Sequence, residues 1–221
     1  ALLGIRDLIH YQRKKYTPRI FQITLILLAL VFVLDLVLEP RIGLLDACVP
    51  LNLLASGELE SILDAVKMHW CVCPLVQKEV RYVRSEDPQG PPEPVTLDPF
   101  LESGLLRVCE LRDQQEERLF IDYAAELDDG EAMTLALAES RGGFLVTDDH
   151  KARRLFIESA GVPERLLATS NLVRAWAHAL GEPASRIQEV LTRIARRARF
   201  VPAGDDSNHD WWLGFLTESN V

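Results

Sequence analysis

Residues 127–151, LDDGEAMTLALAESRGGFLVTDDHK, limit the folds open to this chain more than any other stretch. Asp128, Asp129 and Glu131 precede an alanine-rich helical run, and Asp148 and Asp149 follow a Gly142-Gly143 break and a short apolar strand, residues 144–146. A helix that feeds back into a parallel strand returns the chain by about the distance it left, so acids before the helix and after the strand can converge. Converging carboxylates raise one another's pKa unless a cation neutralises them. The stretch therefore predicts an α/β unit with a cation-seeking acidic end.

Size permits one full core, since 48% of the 221 residues are hydrophobic. The net charge of -9 is uneven, and residues 44–221 carry 18 Lys/Arg against 30 Asp/Glu. That balance argues against a passive nucleic-acid binder, whose phosphate contacts come from Lys and Arg. Between His150 and Phe200 the sign reverses, with ten basic residues against four acids, which puts a basic surface beside an acidic pocket. Cys48, Cys71, Cys73 and Cys109 lie in apolar runs without zinc-ligand spacing and read as buried free thiols in a reducing compartment. Cys71 and Cys73 alternate on a strand, which puts both on one face for packing.

Residues 1–40 differ from the rest. Within them, 21–38 are apolar except for Asp35 and follow Arg13, Lys14, Lys15 and Arg19. A membrane helix, a non-native extension and an apolar segment packed on a partner all fit this pattern. From Ile42 the order is α/β: strand 42–48, helices 51–56 and 58–66, strand 69–73, helix 74–83, a proline-rich loop 85–99, strand 105–111 and helix 113–127. After the central stretch come a basic helix, 151–160, a short strand, 165–169, and helices 171–180 and 185–197. The tail, with Trp211, Trp212 and Phe215, reads as a strap across the body.

Five carboxylates are candidates for one site. Asp46 ends the first strand, where parallel sheets place ligands, and helix capping is its competing role. Glu79 lies on the helix after the second strand, five residues past Pro74. Glu131 closes a capping-box pattern with Asp128, which is compatible with a metal because a helix amino terminus favours its ionised form. Asp148 and Asp149 are adjacent and diverge, one toward the pocket and the other outward or onto the 151–160 helix as its cap. An all-oxygen donor set selects Mg2+ or Mn2+, which can activate a water against a phosphodiester. Lys151, Arg153 and Arg154 then offer a track for a phosphate backbone.

The segments LLDACVPLNLLASGELESIL, VQKEV, DDGEAMTLALA and FLVTDDHKAR, in this order, resemble the PIN-domain nucleases, specifically members whose third motif reads GEA before an alanine-rich helix. The resemblance spans residues 42–168. It implies a three-layer α/β/α fold with a mainly parallel sheet and a Mg2+ or Mn2+ pocket. By motif position Asp46, Glu79, Glu131 and Asp149 would be the four catalytic acids, with Asp148 assisting at the metal. The chain departs from the family at Cys48, where many relatives have Ser or Asn. The organisation expected is a hydrophobic extension over 1–40, a PIN-like domain over 41–168 and a C-terminal helical extension with an aromatic tail over 169–221. The function implied is cleavage of single-stranded RNA by metal-activated water, as in toxins of toxin-antitoxin pairs. Its partners would be RNA, an antitoxin protein and a second copy of the chain, and its location the cytoplasm, membrane-tethered if 21–38 is a native span. A catalytically weak PIN-like RNA-binding or scaffold module is the alternative, and a phosphoacceptor receiver domain is disfavoured because no strand-borne Lys follows Lys151.

Overall fold

The structure, a computed structural model, describes residues 41–87 and 89–217, with Ile23 alone before them. Apart from Ile23, the apolar segment 21–38 lies outside the described residues, as do the readings attached to it. Among the described residues no helix is long and apolar enough to cross a membrane. The chain divides into two units, Ala1–Pro40 and Arg41–Val221, and the helices that follow Ala168 belong to the second.

In chain order that unit runs β1 (Ile42–Leu45), α1 (Cys48–Ser56), α2 (Leu59–Val66), β2 (His69–Val72), α3 (Pro74–Glu79), β3 (Tyr82–Val83), β4 (Glu93–Pro94), α4 (Asp98–Glu102) and β5 (Leu106–Val108). It continues with α5 (Gln114–Ala124), α6 (Asp129–Ser140), β6 (Phe144–Val146), α7 (His150–Ala160), β7 (Leu166–Leu167), α8 (Thr169–Leu180), α9 (Ala184–Arg193) and α10 (His209–Thr217). Five strands form one sheet in the order β5-β2-β1-β6-β7, and each neighbouring pair is parallel. The chain builds outward from β1 to β5, then crosses back to the far side of β1 for β6 and β7. The reversal falls between β1 and β6, so the crevice beyond their carboxyl ends is the topological switch point where open parallel sheets hold ligands.

The strands are short and apolar on both faces, as a sheet covered by helices requires. Gly43 pairs with Trp70, and a Cβ there would stand 2.4 Å from the Trp70 ring, so glycine lets the indole lie across β1. Trp70 Nε1 donates to the Leu63 carbonyl at 3.0 Å, which satisfies the one polar atom of that ring. Helices α1, α2, α8 and α9 pack on one another, as do α3, α5, α6 and α7. Because α6 touches β1, β6, α5 and α7, its apolar residues Ala132, Leu135, Ala136, Leu137 and Ala138 are fully buried on several faces.

Several elements differ from the sequence expectation. The 74–83 helix stops at Glu79, because Val80 turns extended and the β-favouring Tyr82 and Val83 pair antiparallel with Glu93 and Pro94. The proline-rich stretch therefore contributes a strand, in a two-stranded ribbon whose free edges tolerate Pro94. Strand 42–48 ends at Leu45 and α1 begins at Cys48, while strand 105–111 shrinks to Leu106–Val108. A 3-10 turn at Pro163–Arg165 leaves only Leu166–Leu167 for the last strand. Cys73 leaves the strand to cap α3, where its sulfur accepts from Val76 N at 3.4 Å. The tail forms helix α10 instead of a strap: Trp211 with Phe215 and Trp212 with Leu216 recur at four-residue spacing, and Trp212 is buried edge-on to Phe200 at 5.6 Å.

An ion pair joins the start of α5 to the end of α6. Glu116, 2% exposed, accepts from Arg141 Nε at 2.8 Å and Nη2 at 3.0 Å, from Arg112 N at 2.7 Å and from Ser140 Oγ at 3.1 Å. Hydrogen bonding from Arg141 holds its carboxyl below the usual range, so the pair stabilises the fold at neutral pH and the contribution is lost as acidification protonates Glu116. Removing one member of a buried pair leaves the other uncompensated, so Glu116→Ala is expected to lower the unfolding free energy by roughly 3 kcal/mol at pH 7. Urea denaturation checks this, and an unchanged midpoint would mean that the clamp contributes nothing.

Candidate functional site

Strands β1 and β6 stop level with each other, since Leu45 pairs with Val146. Backbone bonds carry the pairing one residue further, Asp46 N to the Val146 carbonyl at 3.0 Å and Thr147 N to the Leu167 carbonyl at 3.1 Å. This fixes Asp46 and Thr147 side by side at the switch point. The Asp46 carboxylate is 3% exposed and accepts three bonds, from Ala47 N at 2.8 Å, Thr147 Oγ1 at 2.8 Å and Cys48 Sγ at 3.1 Å. Burial still outweighs these donors and raises its pKa.

The two adjacent aspartates diverge, as extended geometry requires. Asp148 turns to the buried start of α8, where it accepts from Thr169 N at 2.9 Å, Thr169 Oγ1 at 2.6 Å and Asn52 Nδ2 at 2.9 Å. Burial pushes its pKa to about 6. Asp149 caps α7 by accepting from Ala152 N at 2.8 Å. The charge of the same aspartate contributes to the raised pKa of Glu131.

Glu131 enters from the first turn of α6. Asp128 is the N-cap, accepting from Glu131 N at 2.9 Å, and its own backbone N–H acts back on the Glu131 carboxylate, while no Lys or Arg pairs with that carboxylate among the described residues. Its pKa rises to about 7, first from burial and then from Asp128, Asp46 and Asp149. Glu79, the last residue of α3, is raised by burial and then by Asp128, Asp46 and Asp129. A Cβ on Gly130 would stand 2.6 Å from Glu79 Oε1, so glycine lets this carboxylate lie against the α6 amino terminus. The Gly130 carbonyl is held from below by Thr134 Oγ1 at 2.8 Å and Cys73 Sγ at 3.7 Å.

Asp46, Glu79, Glu131 and Asp149 thus come from four separate segments, with Asp46 acting on Glu79 and Glu131, Asp149 acting on Glu131, and Asp128 acting on Asp46, Glu79 and Glu131 alike. No Lys or Arg pairs with any of them among the described residues. Nor, among those residues, does any group of three or more Asp, Glu, His or Cys side chains stand as a ready metal cage. The four acids offer carboxylate oxygens only, a donor type that hard divalent cations prefer, and the Cys48 thiol is kept protonated by burial and by Asp46 and Asp148.

The basic trio separates. Lys151 bonds the Glu126 carbonyl and approaches its carboxylate at 3.8 Å, Arg153 turns inward to the Thr147 carbonyl at 3.1 Å, and Arg154 stays exposed beside Glu158 at 3.9 Å. Sequence reading missed Thr147, Asn52 and Thr169, whose hydroxyl and amide donors hold the aspartates. It gave Cys48 no part in holding Asp46. Only the position of Thr147, directly before Asp148, hinted at such a role. Compared with family models, curated proteins and solved structures, the chain matches none.

The raised pKa of Glu131 has a sign that can be checked. A carboxyl whose pKa climbs from 4.5 to about 7 on folding binds its proton more tightly in the native state, so stability falls as pH rises through that window. Glu131→Gln is therefore expected to raise the melting temperature of metal-free protein at pH 8, with the gain shrinking toward pH 4.5. Thermal melts across that range test it, and an equal or lower melting temperature at pH 8 contradicts the assignment.

Proposed function

We propose that this chain is a divalent-metal-dependent endoribonuclease of the PIN type that cleaves single-stranded RNA, its sheet lying between two helical layers as a three-layer α/β/α sandwich. The observation that carries this reading is the set of four acids without paired cations, Asp46, Glu79, Glu131 and Asp149, at the switch point of a parallel sheet. These four residues would hold Mg2+ or Mn2+. The bound ion supplies positive charge that lowers the pKa of a water and steadies charge developing on a phosphodiester.

The chain's own groups divide the remaining work. Three donors fix Asp46 in one orientation, which suits a ligand that sets the position of the site. Glu79 has no hydrogen bond of its own, among the described residues, to give up on binding a cation. Asp148 acts as a positioning residue, since its oxygens are committed to Thr169 and Asn52. Exposed Lys151 and Arg154 on α7 offer charge to an RNA backbone, while Arg153 braces the end of β6. A toxin role, an antitoxin protein partner, a homodimer and a cytoplasmic setting follow from the family resemblance, with residues 21–38 as a tether if they span a membrane.

Metal-free protein supplied with Mn2+ should cut single-stranded RNA. Asp46→Asn should lower that rate by more than about a hundredfold and Thr147→Val by about tenfold, as loss of a ligand and of its supporting donor do. Circular dichroism and melting temperature check that the fold persists. Equal activity in Asp46→Asn overturns the proposal, and RNA binding indifferent to EDTA without cleavage favours the binding or scaffold module.

A further inference from the structure

Away from the acidic pocket, the edge of the sheet holds a pair of thiols that the proposed hydrolysis does not use. Cys109 extends β5 by one residue, its N–H donating to the Val72 carbonyl at 2.9 Å, and, like Cys48, is half-buried. Cys71 lies on the neighbouring strand β2, opposite Arg107, and is 4% exposed. Residues 107 and 109 point to the same side of β5, so both thiols face the same helical layer and share a hydrogen bond. Two guanidiniums act on Cys109. Arg141 is clamped by Glu116 and by the carbonyl of Glu110, the residue after Cys109, at 2.6 Å, and Arg112 stands three residues along the chain.

The other two cysteines lack this setting. Cys48 is enclosed between Asp46 and Asp148, and Cys73 lies under the first turn of α6 against Gly130 and Thr134. Both thiols are pushed upward by burial, whereas the hydrogen bond between Cys71 and Cys109 brings Cys109 down, with Arg141 and Arg112 adding to the fall, and pushes Cys71 up. A thiolate is the nucleophilic form of cysteine, and positive neighbours with partial exposure are what select a reactive one.

We propose that Cys109 and Cys71 form a peroxide-reactive thiol pair, with Cys109 as the attacking sulfur and Cys71 as the resolving one. The Cys109 thiolate attacks one oxygen of hydrogen peroxide and the O–O bond breaks. The departing hydroxide takes a proton from solvent to become water, leaving Cys109 as a sulfenic acid, oxidised by two electrons. The Cys71 sulfur then attacks the Cys109 sulfur, an S–S bond forms and the S–O bond breaks. Hydroxide leaves with the Cys71 proton as a second water, so two thiols and one peroxide give one disulfide and two waters. Diagonal neighbours on adjacent strands stand roughly 7–8 Å apart at Cα, beyond ordinary disulfide reach, so closure requires the end of β5 to move inward. An edge strand of three residues yields to that pull more readily than an interior one.

The test uses the full reduced chain at neutral pH. Hydrogen peroxide should consume two of the four thiols, and peptide mass mapping should recover a Cys71–Cys109 disulfide that dithiothreitol reverses. In Cys71→Ser, Cys109 should persist as a sulfenic acid captured by dimedone. If that variant does not fold, competitive alkylation of the wild-type chain decides, with Cys109 expected to react roughly tenfold faster than any other cysteine. Cys109 reacting no faster than Cys48 and Cys73, or peroxide consumption unchanged in Cys109→Ser, overturns the proposal.

Discussion

A carboxylate buried at the end of an inner strand is costly, and the carboxyl end of this sheet is built to hold one. Asp46 stays in place because β1 and β6 end together, which brings the Thr147 hydroxyl to one oxygen while the chain's own turn supplies Ala47 N and Cys48. Parallel pairing makes this possible without sequence proximity: Asp46 and Thr147 are far apart in the chain and adjacent in space. Position 48 also keeps a donor where the resembled family has Ser or Asn, since a thiol held protonated by burial can donate to Asp46.

The same crossover explains why two adjacent aspartates serve different ends. Asp148 points to the start of α8 and joins β6, α1 and α8 through Thr169 and Asn52. Asp149 begins α7 as its cap, accepting from Ala152 N, and its charge acts on Glu131. Whichever element packs on each side of the strand end therefore decides which carboxylate is committed to the scaffold.

The order of the large elements was legible because each has a local signal: apolar strands ending in Asp46 or before Asp148, an N-cap at Asp128, and Gly161 and Gly181 closing helices. The divergence of Asp148 and Asp149 was legible from strand geometry. Which of them would be tied down was not, because that depends on Thr169, which reaches Asp148 only after α8 has packed on α2. The ribbon of β3 and β4 escaped notice for a similar reason. Its pairing is two residues long, and it is anchored from outside by Arg197, which donates to the Arg84 carbonyl at 3.1 Å and pairs with Glu93 at 2.5 Å. Short strands held by distant side chains leave no periodic pattern to read. Cys71 and Cys109 show the same limit, since neither position marks the other in sequence.

Helix α6 connects the rigid and the responsive parts of the molecule. At its carboxyl end Arg141 meets Glu116, and a guanidinium with several donors holds that glutamate ionised. At its amino end Glu131 is raised to about 7 by burial and by the neighbouring acids Asp128, Asp46 and Asp149. One side-chain chemistry thus takes opposite electrostatic roles at the two ends of one buried helix. The alanines between them allow close packing on the sheet, so the helix has little freedom to shift when the charge at its amino end changes. Carboxylates held by such a frame can relieve their repulsion in two ways, by taking up a proton or by sharing a cation.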